Sequence, residues 1–197
     1  MNTMLVVLAV LGSSAPSNLE LAEEALVLAC QPIPDSLASI GADCIVLQLD
    51  GTHEGGWFVL QTLTAILEDR GIQVTEMPDE RDVGMVLRVR PMELLVGYGD
   101  VSRPWIVGSK RVERLASAEV SSRLIDADGS VLMTTRTSGS AMDVVSWGDA
   151  EALSGSEEWS WLSAELPEGG GGGILEPIIV TGVVASLVYL FYSSRAD

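Results

Sequence analysis

The chain has 197 residues, is 47% hydrophobic and carries 28 acidic against 11 basic residues, a formal charge of −17. That length fits one ordinary domain with targeting segments at its ends. The acidity argues against nucleic acid or anionic lipid headgroups as partners held by overall charge, since both require a basic patch.

Met4 to Leu11 is an apolar run that breaks at Gly12-Ser13-Ser14, a pattern that resembles a secretory signal peptide with cleavage before Asn18. Met1-Asn2-Thr3 departs from it by lacking Lys and Arg. Leu19 to Cys30 reads as a short amphipathic helix, because Glu20, Glu23 and Glu24 interrupt what a lipoprotein signal would need as an apolar core. The chain then turns at Pro32 to Pro34. Cys44 to Leu49 is a short apolar strand ending at Asp50-Gly51, and Asp50 to Gly56 is a glycine loop containing His53. Trp57 to Arg70 carries an apolar stripe of Val59, Leu60, Leu63, Ile66 and Leu67, which predicts a helix capped by Gly71; Ile72 to Thr75 begins the next strand. The two cysteines read as a disulfide if the domain is exported and as two thiols if it is cytosolic.

From Val83 to Tyr98 the pattern has a period of two, and Pro91 predicts a bulge or an edge there. Arg88, Arg90, Arg103, Lys110, Arg111 and Arg114 gather more than half of the bases, and they read as the solvated face of two neighbouring strands rather than an anion site. Val112 to Asp126 alternates Ala116, Ala118, Val120, Ser122 and Leu124 with polar residues. Asp126-Ala127-Asp128-Gly129 reads as a hairpin turn, and Val131 to Ser140 as the return strand with Val131, Met133, Thr135 and Thr137 facing one way. One or two short helices are expected between Asp143 and Leu166. Trp147, Trp159 and Trp161 there mark a possible interface, with core packing or a protein contact as equal alternatives.

Arg70-Gly71-Ile72-Gln73-Val74, followed by a hairpin reading Arg123-Leu124-Ile125-Asp126-Ala127-Asp128-Gly129-Ser130-Val131-Leu132, is similar to the small α/β envelope domains of the curli-secretion lipoprotein family and the amino-terminal domain of the TolB type. The resemblance covers Cys44 to Ser140. It implies a sheet packed by one or two helices and a role in oligomeric envelope assembly or transport. The chain departs from that pattern by lacking an acylated amino-terminal cysteine and the long amphipathic hairpins of a secretion pore.

Five glycines, Gly169 to Gly173, precede the stretch Ile174 to Tyr192, in which Ile178 to Tyr192 is uncharged and mostly apolar. A helix from Pro177 to Ser194 would span about 27 Å, close to a hydrocarbon core of about 30 Å. Thr181, Gly182, Ala185 and Ser186 would give it a small-residue face for packing against another helix. The expected fold class is thus α/β (α+β): a small mixed or antiparallel sheet with one or two packed helices, plus one carboxy-terminal transmembrane helix. The expected organisation is a signal peptide over 1–17, an extracytoplasmic domain over 18–166, a linker over 167–173, the membrane helix over 174–194 and a cytosolic tail over 195–197.

No nucleophile elbow accompanies His53, the abundant carboxylates read as helix surfaces, and no cofactor or metal motif occurs. The expectation is therefore a non-enzymatic scaffold or accessory subunit in a bacterial inner-membrane complex, single-pass, with its main domain periplasmic. Its partners would be the bilayer and other envelope proteins in a hetero- or homo-oligomer, without nucleic acid. The alternatives are an exported protein with a removable carboxy-terminal sorting signal, and an enzyme or small-ligand-binding envelope domain using Asp50 to Gly56 and the cluster Arg88 to Arg114.

Overall fold

The computed structural model describes residues 15–75, 84–103, 109–154, 159–163 and 165–167. Helix α1 (Asn18–Cys30) starts from Ser17, whose hydroxyl accepts from the Glu20 amide while the Glu20 carboxylate accepts from the Ser17 amide. This reciprocal capping box satisfies two donors that the helix start would leave open. The Ser17 amide, then the Ser17 hydroxyl, holds the Glu20 carboxyl below its ordinary value of 4.5. A carboxyl depressed by folding stabilises the fold above that ordinary value and ceases to as the pH falls through the depressed one, so this cap is lost only in acid.

Helix α2 (Pro32–Ile40) occupies the segment read from sequence as a turn. Pro32 and Pro34 sit in its first turn, where the missing N–H groups would have had no helical partner, so proline starts this helix instead of breaking it. Strand β1 (Cys44–Leu49) and helix α3 (Gly56–Asp69) follow the sequence pattern closely. Gly71, at φ +78°, closes α3 in the left-handed conformation open to glycine, and β2 (Gln73–Thr75) follows.

Three long strands complete the fold: β3 (Met85–Ser102), β4 (Arg111–Ile125) and β5 (Val131–Ser146), with the short helix α4 (Trp147–Ser154) after them. The sheet order is β2-β1-β3-β4-β5, with β1 parallel to β2 and β3, and β3, β4 and β5 antiparallel in succession. Pro91 is tolerated in β3 because β1 pairs only as far as Val89, whose carbonyl accepts from the Asp50 amide. Two residues on, the nitrogen of Pro91 faces the same side, where no strand continues. The register shifts immediately afterwards, between Pro91 and Glu93. A second shift, between Leu124 and Ile125, puts Val131 out of phase with Met133, so Val131 is exposed instead of sharing its face.

All three large helices lie on one face of the sheet. Leu21, Ala25, Leu26 and Ala29 of α1, Ile33 and Leu37 of α2, and Val59, Leu63 and Leu67 of α3 share one core with Leu87, Val89, Val96, Ala116, Ala118, Val120 and Leu124. α1 rides close because the strand residues beneath it are small. A Cβ on Gly139 would overlap the Ala25 carbonyl oxygen and lie 2.9 Å from the Leu28 Cβ. The opposite face of β3, β4 and β5 carries no helix among the described residues.

The structure departs from two expectations. The fold is α+β, a five-stranded mixed sheet with helices on one side, and no helix among the described residues is long and apolar enough to cross a membrane. The fold class with a transmembrane helix therefore does not stand; the stretch assigned to it, 174–194, lies outside the described residues, as do the linker glycines and residues 1–14. The expected disulfide is also absent: Cys30 and Cys44 are both free. Cys30 ends α1 inside the core, whereas Cys44 alternates with core residue Ile45 and faces outward from the other side of the sheet. The sheet itself separates them. Burial pushes the Cys30 thiol up to about 12, so almost none of it is thiolate near neutrality. A maleimide at pH 8 is expected to modify Cys44 within minutes and Cys30 only on unfolding. An intact mass two hydrogens short of the dithiol would contradict this arrangement.

Candidate functional site

The helix-free face is built from alternate residues of the three long strands. Its β3 row begins Arg88, Arg90 and later reaches Leu95 and Gly97. The β4 row runs Leu115, Ser117, Glu119, Ser121, Arg123, and the β5 row runs Thr134, Arg136, Ser138, Ser140, Met142, Val144. Register divides this face into two regions. At one end Arg88 lies opposite Arg123, and Arg90 opposite Ser121. At the other end Leu115 sits between Gly97 and Met142, with Leu95 and Val144 diagonal to it.

The basic end is a concavity of about 270 Å³ lined by Asp50, Arg88, Arg90, Met92, Ser121 and Arg123. Arg90 is held by Asp50 at 2.9 Å, while Arg88 and Arg123 have no acidic partner among the described residues. The apolar end is open: Leu115 is 44%, Met142 63% and Val144 55% exposed. Between the two ends Glu119 accepts from Arg136, and this bond, with the nearby positive charge, holds the Glu119 carboxyl below its ordinary range.

The arginine cluster seen in the sequence is not one cluster in space. Arg88 and Arg90 face outward and are joined by Arg123, which lies outside the run singled out by composition. Lys110 stacks over Trp147 at 5.1 Å from the ring centre. Arg114 has turned inward and is fully buried. Its guanidinium donates to both Asp143 carboxylate oxygens, at 2.9 and 2.5 Å, to the Asn18 side-chain oxygen at 2.9 Å and to the Pro16 carbonyl at 2.9 Å. Asn18, also buried, donates onward to the Leu162 carbonyl at 3.1 Å. The signal for this was parity, since Arg114 shares its face with Ala116 and Ala118, and Asp143 shares its face with Ala141 and Val145.

Asp126 to Ser130 form the hairpin turn read from sequence: the Asp126 amide donates to the Ser130 carbonyl and the Ser130 amide to the Asp128 carboxylate. His53 accepts locally from the Gly55 amide, and Glu54 is bonded by the Ser160 hydroxyl, which ties this loop to the segment after α4. The three tryptophans are not gathered. Trp161 is buried against Phe58, Trp159 packs on Trp57 with ring centres 5.2 Å apart and planes tilted by 48°, and Trp147 opens α4 with its indole N–H donating to Glu151. Thr181, Gly182, Ala185 and Ser186 lie outside the described residues.

No family model matches this sequence, and no curated protein does. Among solved structures the chain is similar to a neuraminyllactose-binding hemagglutinin homolog from Helicobacter pylori, at 15% identity over 53% of this chain and 67% of that one, with a TM-score of 0.34. It is also similar to a minor lipoprotein from Acinetobacter baumannii, at 17% identity over 61% of this chain and 78% of that one, with a TM-score of 0.35. Both are bacterial proteins, and at these TM-scores the likeness assigns neither family nor function.

Arg114 is a structural group, and its removal has a definite expected cost. Arg114→Met leaves Asp143 and Asn18 without their shared partner and is expected to destabilise the fold by about 3 kcal/mol in urea titrations, as breaking a buried pair does. Arg114→Met combined with Asp143→Leu is expected to recover part of that loss. A double variant no better than the single one would show that the pair is not the coupled unit.

Proposed function

We propose that this chain is a non-enzymatic accessory protein of the bacterial cell envelope that works by docking a protein partner on its helix-free sheet face. The observation that carries this reading is the patch of Leu95, Leu115, Met142 and Val144, four large apolar side chains that are neighbours in the strand register and open to solvent. Single exposed apolar residues are ordinary, whereas a contiguous group on a rigid sheet is the usual form of a protein contact. Gly97 shapes the patch, because its missing side chain leaves Leu115 standing clear of β3.

The envelope setting is supported by the apolar run Met4 to Leu11 followed by small residues, with any cleavage falling upstream of Pro16 because Pro16 and Ser17 hold the start of α1, and by the turn chemistry of the Arg123 to Leu132 hairpin. A non-enzymatic role is supported by the way the polar interior is used: the one fully buried charged side chain among the described residues, Arg114, spends its donors on internal acceptors. The partner is an envelope protein presenting an apolar surface, in a hetero- or homo-oligomer.

A photo-cross-linking residue at position 115, introduced into the full chain in its host cell, is expected to give one dominant protein adduct, and the same residue at Glu68 on the exposed side of α3 none. Fusion at Leu166 to a reporter active only outside the cytoplasm is expected to be active. No adduct at position 115, equal adducts at both positions, or a silent reporter would contradict the reading.

A further inference from the structure

The basic end of the same sheet face has a composition that docking by the apolar patch does not explain. Arg88 and Arg123 are cross-strand partners in register. Directly opposed residues place their Cβ atoms about 5 Å apart, and like charges so placed destabilise a sheet. In a chain with a formal charge of −17 there are acids in excess to separate or neutralise such a pair. The next rung places Arg90 opposite Ser121, and Asp50 engages Arg90 from the side at 2.9 Å. The Asp50 amide is fixed by the Val89 carbonyl, so the carboxylate that positions Arg90 is itself anchored to the sheet.

The concavity is lined by three arginines and one carboxylate, and since Asp50 pairs with Arg90, Arg88 and Arg123 are left without an acidic partner among the described residues. Its volume of about 270 Å³ lies below the range of roughly 300 to 1,000 Å³ typical of drug-sized ligands and suits a small, charged one. Guanidinium groups bind oxyanions through paired N–H donors, and the Ser121 hydroxyl adds a donor on the same rung. Met92, itself 45% exposed, adds an apolar side chain to the lining.

We propose that this concavity is a binding site for a small, doubly charged oxyanion of the phosphate class, held by Arg88 and Arg123, with Arg90 oriented by Asp50 and Ser121 as a further donor. The bound dianion relieves the repulsion between the opposed arginines, so occupancy and stability rise together. The site is separate from the apolar patch and does not depend on the docking reading.

The test is titration of the full-length protein with inorganic phosphate at low, matched ionic strength, using chloride as the control anion and following heat and thermal unfolding. Wild type is expected to bind saturably, to gain in Tm with phosphate and to weaken as salt is raised. Arg88→Ser with Arg123→Ser is expected to bind about tenfold more weakly or worse while unfolding no earlier than wild type in the absence of phosphate. Leu115→Thr is expected to bind as wild type does. Should the double variant unfold early, Arg123→Gln alone replaces it, with the same expected loss of binding. Phosphate binding that is absent, unsaturable or unchanged in these variants would overturn the proposal. So would co-sedimentation with phosphatidic acid vesicles that inorganic phosphate does not displace.

Discussion

The guanidinium of Arg114 fixes where the first helix meets the sheet, and much of the rest depends on that contact. It is buried in β4, pairs with Asp143 on β5 and reaches Asn18 and Pro16 at the start of α1. Asn18 continues the chain of bonds to Leu162, on the segment that returns after α4. A charge in this position is tolerated because nearly every donor has an acceptor, which is the condition under which a buried ion pair stops being a net loss. Its contribution is better described as register than as energy. It allows α1 to lie over β4 and β5 in one place, where Ala25 and Ala29 meet the bare backbone of Gly139.

That contact gives the sheet two unlike faces. Under the helices β4 offers Ala116, Ala118 and Val120, small enough for close approach. On the far side the same strand offers Leu115, Ser121 and Arg123, none of which belongs to the core. Each strand thus carries two messages with a period of two, one for folding and one for the surface. The outer one splits again into an apolar end and a basic end. A helix-covered face and a bare face on one sheet are what an antiparallel hairpin system permits, since its strands need burial on one side only.

Period-two and helical periodicity made the strands, α1 and α3 legible in the sequence, because each has an apolar face and a clear terminus such as Gly71 or Asp126 to Gly129. α2 was hidden by its prolines, whose effect depends on whether they fall in a first turn or later. The cysteine pair misled because spacing along the chain says nothing of which side of a sheet a residue faces, and Cys30 and Cys44 take opposite sides. The arginines were legible as a cluster by composition, but only register separates the inward Arg114 from the outward Arg88 and Arg90 and brings in Arg123 from the next strand. The tryptophans near the end of the domain carry no periodicity, so nothing in the sequence distinguished the buried Trp161 from the half-buried Trp147 and Trp159.

The central claim is that the inner face of β3 to β5 holds the fold and the outer face is reserved for contacts. It is tested most directly by the stability of one combined variant, Arg88→Ser, Leu115→Thr, Arg123→Ser, Met142→Thr and Val144→Thr, measured by urea denaturation beside wild type. The account predicts an unfolding free energy within about 1 kcal/mol of wild type, since exposed substitutions away from packed groups change stability little. A loss of several kcal/mol would contradict it, because it would mean that these residues are covered and are part of what holds the sheet together.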